Sequence, residues 1–313
     1  MNREIVRSNF KHILLLLPFL LTACAVSPIQ YKNVIEPNAV SVEPIRSTKP
    51  VVALVLGSGS ERGFAHIGVI KALEANNIDV DVVIGTSSGS VVGALYAGGY
   101  KSDELEKLAI ELDQSQLNDY ELSKRGYIRG EQLQDFINRA LKNRSIEELA
   151  KPFVAIATNL GSGKVAAFNR GNTGMAVRAS SSIPGVFHPV LIGNNEYVDG
   201  DLKRPVAVSV AREMGADIII AVDVSQQPGD SPMPKNIIDT LTQSIRIMRQ
   251  SILAYELDFA QVVIRPAIGQ IPEMDANQKR LLIKNGEDAA IASLPEIRMW
   301  LQKISRKKDY RAY

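Results

Sequence analysis

The sequence predicts an α/β fold, a three-layer α/β/α sandwich around a largely parallel central sheet. Three observations support this. Apolar, β-branched runs alternate with helical patterns from residue 50 onward. The runs at 51–56 and 80–84 each stop at a glycine-rich turn that leads into a helix. The run at 218–224 is apolar except at Asp223, as in strands that helices cover on both faces. Right-handed crossovers should bring the two glycine-rich turns side by side.

The other elements follow from the same patterns. Paired strands are expected at 153–159 and 164–168, across a Gly-Ser-Gly turn, and a last strand at 262–266. Helices are predicted at 102–112, 130–141, 205–214, 236–257 and 278–303. The sequence contains no repeat, low-complexity tract or metal-ligand cluster. Residues 50–313 therefore form one predicted domain, long enough to bury a sizeable core.

Residues 1–23 predict a secretory signal peptide. Three basic residues precede the apolar run 13–21, which is too short to span a bilayer comfortably. Leu-Thr-Ala-Cys at 21–24 resembles the lipobox of bacterial lipoproteins, which implies cleavage before Cys24 and lipid attachment to it. Cys24 is the only cysteine, so no disulfide can form within one chain. An ordinary signal anchor or a buried thiol is the alternative.

Residues 24–49 predict a flexible tether, because they contain three prolines and show no helical period. Acyl chains on Cys24 would attach this tether to a membrane. Under the lipoprotein sorting rule, Ala25 after the cysteine implies the outer membrane of a diderm bacterium.

The turn Gly85-Thr86-Ser87-Ser88-Gly89 joins the second strand to a helix rich in small residues. Glycines on both sides of Ser87 suit a strained turn in which the strand and the helix approach closely. Ser87 is then expected at the tip of the turn, where the helix N-terminus favours developing negative charge. An ordinary helix cap is the alternative interpretation.

A serine hydroxyl needs a base before it can act as a nucleophile. No histidine follows Asp199, which excludes a Ser-His-Asp triad in α/β-hydrolase order with Asp199 as its acid. The more specific alternative is a carboxylate that acts directly on Ser87 as its base. Asp199 is the best candidate, because a short strand that ends in Asp199-Gly200-Asp201 places a carboxylate on a turn. The same residues also suit a plain surface turn.

The first glycine-rich turn reads Gly57-Ser58-Gly59-Ser60-Glu61-Arg62-Gly63 and presents backbone N–H groups to an anion. A dinucleotide fingerprint would require glycine in place of Arg62, and the P-loop pattern is missing as well. The favoured interpretation is an oxyanion hole, with donors near Gly59 and Ser60 and with Arg62 holding the loop.

These blocks resemble the patatin-like phospholipase family over residues 50–225. They are G-S-G-x-x-R-G after the first strand, G-x-S-x-G after the second and a later D-G-x. Residues 178–189 are similar to the family block R-A-S-x-S-x-P-x-x-F. The resemblance implies Ser87 as nucleophile, Asp199 as the base of a dyad, the 57–63 loop as oxyanion hole, and no metal or cofactor. Asp201 adds a carboxylate near that base, which is expected to perturb its proton affinity.

The implied function is hydrolysis of acyl esters in phospholipids or related lipids, of phospholipase A or lysophospholipase type, through an acyl-enzyme. Acyl transfer to an alcohol uses the same residues, and a non-catalytic lipid-binding lipoprotein is the alternative from another class. The apolar residues of the 236–257 helix suit core packing or an acyl channel. Basic residues near the C-terminus suit a solvated end or contact with anionic phosphate: Arg306, Lys307, Lys308 and Arg311. The net charge of +2 gives no support for nucleic-acid binding.

Overall fold

The structure, a computed structural model, describes residues 35–42, 44–121, 125–226, 229, 233–269 and 275–309. Its strands are β1 (Val52–Leu56), β2 (Val82–Thr86), β3 (Phe153–Asn159), β4 (Val165–Phe168), β5 (Val190–Ile192), β6 (Asn195–Asp199), β7 (Ile218–Val222) and β8 (Val262–Ile264). Its helices are α1 (Ala65–Ala75), α2 (Ser88–Ala97), α3 (Ser102–Glu111), α4 (Glu131–Ala140), α5 (Thr173–Ser180), α6 (Val208–Glu213), α7 (Ile237–Leu257) and α8 (Ala276–Asp309).

Some of the predicted features lie outside the described residues. They are the signal peptide, Cys24, the first part of the tether and Arg311. No helix in the described part of the chain is both long enough and apolar enough to cross a membrane.

The central sheet is parallel in its middle and antiparallel at one end. The strands β3, β2, β1, β7 and β8 lie side by side in that order, and every neighbouring pair among them is parallel. Leu56 at the end of β1 pairs with Gly85 near the end of β2. The two glycine-rich turns therefore leave neighbouring strands at the same edge, as predicted.

The strand β3 pairs with different strands along its length. Its first part pairs with β2 up to Ile156, which lies opposite Thr86. The next residue, Ala157, pairs with Asp199 of β6. Ala157 also pairs with β4, so β4 must lie along the other edge of β3. The strands β2 and β6 consequently meet end to end along one edge of β3.

The sheet has a core on each face, which confirms the predicted three layers. Alternate residues of β1 point to opposite sides, as the strand period requires. Leu54 and Leu56 pack in the larger cluster with α1, α2, α4, α5 and α8, whereas Ala53 and Val55 pack in the smaller cluster with α6 and the end of α7. All four side chains are fully buried.

The described part of the predicted tether lies along the domain. The amide of Val40 donates to Asn169 Oδ1 at 3.0 Å, and the amide of Ile45 donates to the carbonyl of Met214 at 2.8 Å. Val42 and Ile45 also pack against the smaller core cluster. At Val40, Val42 and Ile45 the segment is therefore held against the domain, which differs from the flexible tether predicted there.

Most of the predicted elements are confirmed, with shifts at their ends. The strand predicted at 218–224 ends at Val222, and the helix predicted at 205–214 begins only at Val208. The strand β5 and the helix α5 were not predicted. A signal for α5 is present, because Asn172 caps its first turn by accepting the amide of Met175 at 2.7 Å.

Candidate active site

Ser87 lies at the tip of a sharp turn between β2 and α2. Its backbone has φ 55° and ψ −124°, a conformation that non-glycine residues rarely adopt. A side chain at Gly89 would place its Cβ 2.1 Å from the carbonyl oxygen of Leu56, and one at Gly85 would meet the Gly89 carbonyl at 2.5 Å. Both glycines are therefore required by the close approach of α2 to the sheet, as the sequence predicted.

The structure brings Ser87 and Asp199 into direct hydrogen-bond contact. Ser87 Oγ donates to Asp199 Oδ2 at 2.7 Å, across 112 positions of sequence. The other carboxylate oxygen of Asp199 accepts the amide of Asp201 at 2.8 Å. Both side chains are nearly completely buried. The contact follows from the sheet, because β6 delivers Asp199 to the position where β2 ends.

The pKa of Asp199 is raised from 3.8 to about 7, mainly by burial and in addition by the charge of the neighbouring Asp201 carboxylate. The hydrogen bonds from the Asp201 amide and from Ser87 oppose this rise, as does the charge of Arg249. The extra carboxylate at Asp201 therefore acts in the direction that like-charge repulsion predicts. A carboxylate with this pKa can exchange a proton near neutral pH.

The loop from Gly57 to Gly63 lies beside the turn that carries Ser87. A Cβ on Gly63 would lie 2.6 Å from the side chain of Ser88. The amides of Gly57 and Ser58 already donate to the carbonyls of Val222 and Pro205, at 3.0 and 2.9 Å. The amides of Gly57 and Ser58 therefore shape the loop and are not free to donate to an oxyanion. The candidate oxyanion donors are then those of the later loop residues.

Two amides of this loop are available as hydrogen-bond donors. The amides of Gly59 and Ser60 have no hydrogen-bond acceptor among the described residues. Gly59 is the N-cap and Ser60 the first residue of the short 3-10 helix Ser60–Phe64, and backbone N–H groups at the start of a helix lack partners within it. Arg62 Nε donates to the carbonyl of Val224 at 3.3 Å, so this side chain holds the loop against the chain after β7.

Arg249 of α7 contacts the loop as well, and this contact was not predicted from the sequence. Its Nη2 donates to the carbonyl of Ser58 at 3.0 Å and contacts Ser58 Oγ at 2.7 Å. Its Nε lies 2.8 Å from Asp201 Oδ1, to which Ser58 Oγ also donates. A continuous set of polar contacts thus connects Arg249 through Asp201 to Asp199.

Two serines of the 178–189 block hydrogen-bond to the backbone of Ser87 and Asp199. Ser180 Oγ accepts the amide of Ser87 at 2.9 Å, and the carbonyl of Ser182 accepts the amide of Asp199 at 2.9 Å. Both serines are fully buried. The block was recognised in the sequence as part of the resemblance, but these contacts were not predicted.

Neither described histidine takes part in the Ser87 contact. His66 is fully buried, and its Nε2 lies 2.8 Å from the carbonyl of Gly57. Burial lowers the pKa of His66 to about 4, so the ring is neutral and donates to that carbonyl. His188 Nδ1 lies 4.0 Å from Glu121. Within the described residues no group of three His, Cys, Asp or Glu side chains is placed to hold a metal ion.

Ser87 opens into a cavity of about 320 Å³. The loop residues Ser60 and Gly63 line the same space. Most of the wall is apolar and includes Phe64, Val91, Val92, Leu117, Ile183 and Phe187. No α7 residue whose side chain the structure describes lines this cavity, so the acyl channel that was one interpretation of that helix is not seen among them. The cavity joins an apolar compartment to the hydroxyl of Ser87.

The comparisons with known proteins agree with this arrangement. Residues 54–212 match the family model of patatin-like phospholipase. An uncharacterised NTE family protein of Mycobacterium tuberculosis is 38% identical over 182 residues, covering 57% of this chain and 50% of that relative. Human patatin-like phospholipase domain-containing protein 6 is 32% identical over 188 residues, covering 58% of this chain and 14% of that relative. Lysophospholipase NTE1 of Coccidioides immitis is 34% identical over 195 residues, covering 58% of this chain and 12% of that relative.

Among solved structures, VipD from Legionella pneumophila has a similar fold, with a TM-score of 0.53 and 14% identity. The match covers 88% of this chain and 72% of that one. The chain spans half or less of the length of the curated relatives named above. Because the matched segment contains both glycine-rich turns and Asp199, and covers half of the chain, this protein belongs to the patatin-like phospholipase family.

Proposed function

We propose that the protein is a serine lipid acyl hydrolase that cleaves carboxylic ester bonds of phospholipids or lysophospholipids. The observation that carries this proposal is the 2.7 Å contact between Ser87 Oγ and Asp199 Oδ2 at the wall of an apolar cavity. The family supports hydrolysis of lipids in general terms. A fungal relative is named as a lysophospholipase, which supports the choice of substrate class.

In the proposed first step, the Asp199 carboxylate takes the proton of Ser87 as the serine oxygen attacks the ester carbonyl. The acyl chain lies in the cavity, and the free amides of Gly59 and Ser60 donate to the oxyanion of the tetrahedral intermediate. Protonated Asp199 then passes its proton to the leaving alcohol. An acyl group remains bonded to Ser87.

In the second step a water molecule attacks this acyl-enzyme, and Asp199 accepts a proton from the water. The intermediate collapses, the fatty acid leaves and the proton returns to Ser87. The pKa of about 7 suits this double role, because a base of that strength both accepts and releases a proton near neutral pH. The buried position keeps the carboxylate away from competing solvent.

The experiment that tests this proposal uses the full chain and a soluble p-nitrophenyl ester. The wild type is expected to release p-nitrophenol, and Ser87→Ala is expected to abolish the reaction. Ser102→Ala is the matched control, because Ser102 is also buried but lies at the start of α3, away from the cavity. A fluorophosphonate probe is expected to modify Ser87 alone, as identified by mass spectrometry.

Equal turnover by the wild type and Ser87→Ala would refute the assignment of the nucleophile. An active wild type whose probe adduct lies on another serine would do the same. Product analysis with an added alcohol acceptor separates hydrolysis, in which free fatty acid forms, from acyl transfer.

We also propose that Cys24 is lipidated and anchors the protein to the outer membrane of a bacterium. The support is the Leu-Thr-Ala-Cys sequence, which ends in the only cysteine of the chain. Labelled palmitate is expected to enter the wild type and not Cys24→Ala, and the labelled protein is expected in the outer-membrane fraction. Equal labelling of both proteins would refute the anchor.

A further inference from the structure

The first half of α7 exposes large apolar side chains. Ile237 is 80% exposed, Leu241 59%, Ile245 49% and Met248 70%. Their spacing of four, four and three residues places them on one face of the helix. Core packing, one of the two interpretations of this stripe from sequence, is seen at the end of the helix, where Leu253 and Leu257 are buried, and not at these four exposed residues.

This half of α7 extends beyond the edge of the sheet at which Ser87 lies. The strands β7 and β8 are parallel, so α7 between them must run back from that edge. Arg249 contacts Ser58, which follows the end of β1 at this edge. This part of α7 therefore lies level with the edge. The twelve residues from Ile237 to Arg249 rise about 18 Å along the helix axis. The exposed face consequently projects past the same edge as the cavity beside Ser60.

The base of this projecting segment carries a cluster of positive charge. Burial lowers the pKa of Arg62, and the nearby charges of Arg249 and Arg246 lower it in addition, so the three guanidinium groups lie close together. The carboxylates of Glu61 and Asp201 lie near the same cluster and act on the pKa of Arg62 in the opposite direction. The first half of the helix, residues 237–249, contains two arginines, both near its base, and one acidic residue, Asp239, near its start. The segment thus combines an apolar tip with a cationic base.

These features together favour one occupant. An interfacial helix inserts its apolar face at the boundary of the acyl chains, while its cations stay near anionic headgroups. A second copy of the chain would be a poorer fit, because a two-fold interface sets the same patch against itself. That arrangement would bring one arginine cluster towards the other and repel the partner.

We propose that the first half of α7 docks on an anionic phospholipid bilayer, with Ile237, Leu241 and Ile245 inserted among the acyl chains. The inference rests on the proposed function, in which the cavity receives a lipid. Docking would place the cavity and the loop at Ser60 next to the bilayer surface. Arg249 would then join the docked helix to Ser58 and Asp201 of the site.

The direct test attaches an environment-sensitive fluorophore to the full chain with Cys24→Ser, at either Leu241→Cys or Leu281→Cys. The two leucines are 59% and 51% exposed, on α7 and α8 respectively. Phosphatidylcholine vesicles that contain phosphatidylglycerol are expected to shift emission of the Leu241 label to the blue and to protect it from iodide. The label at position 281 should remain accessible to iodide. Vesicles of phosphatidylcholine alone should shift the emission of the label at position 241 less.

An unchanged Leu241 label would overturn the proposal, as would equal changes at both labels. Protection of Leu241 that needs no vesicles but grows with protein concentration would indicate a second copy on this face. Protection without vesicles at every concentration would indicate cover by another segment of the chain. Either result would also overturn bilayer docking.

The functional test compares two triple serine variants. Replacement of Ile237, Leu241 and Ile245 by serine is expected to lower vesicle phospholipid hydrolysis by at least about tenfold, because three apolar side chains no longer insert. Soluble ester hydrolysis should be retained. The matched control replaces three exposed residues of α8: Leu281, Ile291 and Met299.

The result separates the docking proposal from the proposed function. If the α7 variant hydrolyses vesicle phospholipid as fast as the wild type, the docking proposal is refuted and the proposed function is not. A wild type that cleaves neither the vesicle lipid nor the soluble ester would refute the function. A loss of vesicle activity in the α8 control equal to that in the α7 variant would also refute docking by α7.

Discussion

Replacing Asp199 by asparagine should stabilise the protein at neutral pH and not at acid pH. The pKa of Asp199 in the folded protein is about 7, whereas its ordinary value is 3.8. At about 1.4 kcal/mol per pKa unit, this difference of about 3 corresponds to about 4 kcal/mol. The folded state keeps a proton that the unfolded chain loses between about pH 4 and pH 7. Wild-type stability should therefore fall by about that amount as the pH rises through this window.

The Asp199→Asn variant has no carboxyl group to titrate at this position. Its free energy of unfolding relative to the wild type should therefore rise by about 4 kcal/mol between about pH 4 and pH 8. Urea unfolding of the full chain at several pH values measures this difference, in which groups common to both proteins cancel.

Ser87→Ala is the control for this measurement. It removes the hydrogen bond to Asp199 but keeps the carboxyl group, so the fall in stability with rising pH should persist. A difference between Asp199→Asn and the wild type that stays constant with pH would refute the reasoning, even if the asparagine variant were inactive.

The remaining predictions concern the groups around the dyad. Asp201→Asn should lower the apparent pKa of the rise in kcat/KM with pH, and Arg249→Met should raise it, because the carboxylate raises and the guanidinium lowers the pKa of Asp199. Shifts in the same direction in the two pH profiles would contradict this. Gly89→Ala should prevent stable folding, since its Cβ would lie 2.1 Å from the Leu56 oxygen, whereas Gly229→Ala meets nothing within 4 Å and should melt like the wild type.

The local parts of the site could be predicted from the sequence. The two glycine-rich turns follow β-branched runs, and the parallel pairing of β1 with β2 brings them together. Such turns are formed by residues adjacent in sequence, and the glycines that their backbone conformation requires can be recognised in a short sequence pattern. The pairing of Ser87 with Asp199 was expected from the lack of a suitable histidine and from the family resemblance, and the geometry agrees with it.

The long-range parts could not be predicted in the same way. The register that sets Asp199 beside the end of β2 depends on β3, about 40 residues earlier in the chain. The contact of Arg249 with Ser58 spans 191 positions. The apolar period of α7 indicated an amphipathic helix, but a period gives only the existence of an apolar face. Whether protein or solvent covers that face depends on how far the helix extends beyond the sheet.

The end-to-end meeting of β2 and β6 along β3 has a consequence for movement in this molecule. Thr86 and Asp199 lie opposite consecutive residues of one strand, Ile156 and Ala157. Ser87, directly after Thr86, and Asp199 are therefore positioned by the same strand. We expect any change of shape that admits a bulky molecule to occur in the walls around these two residues and not between them.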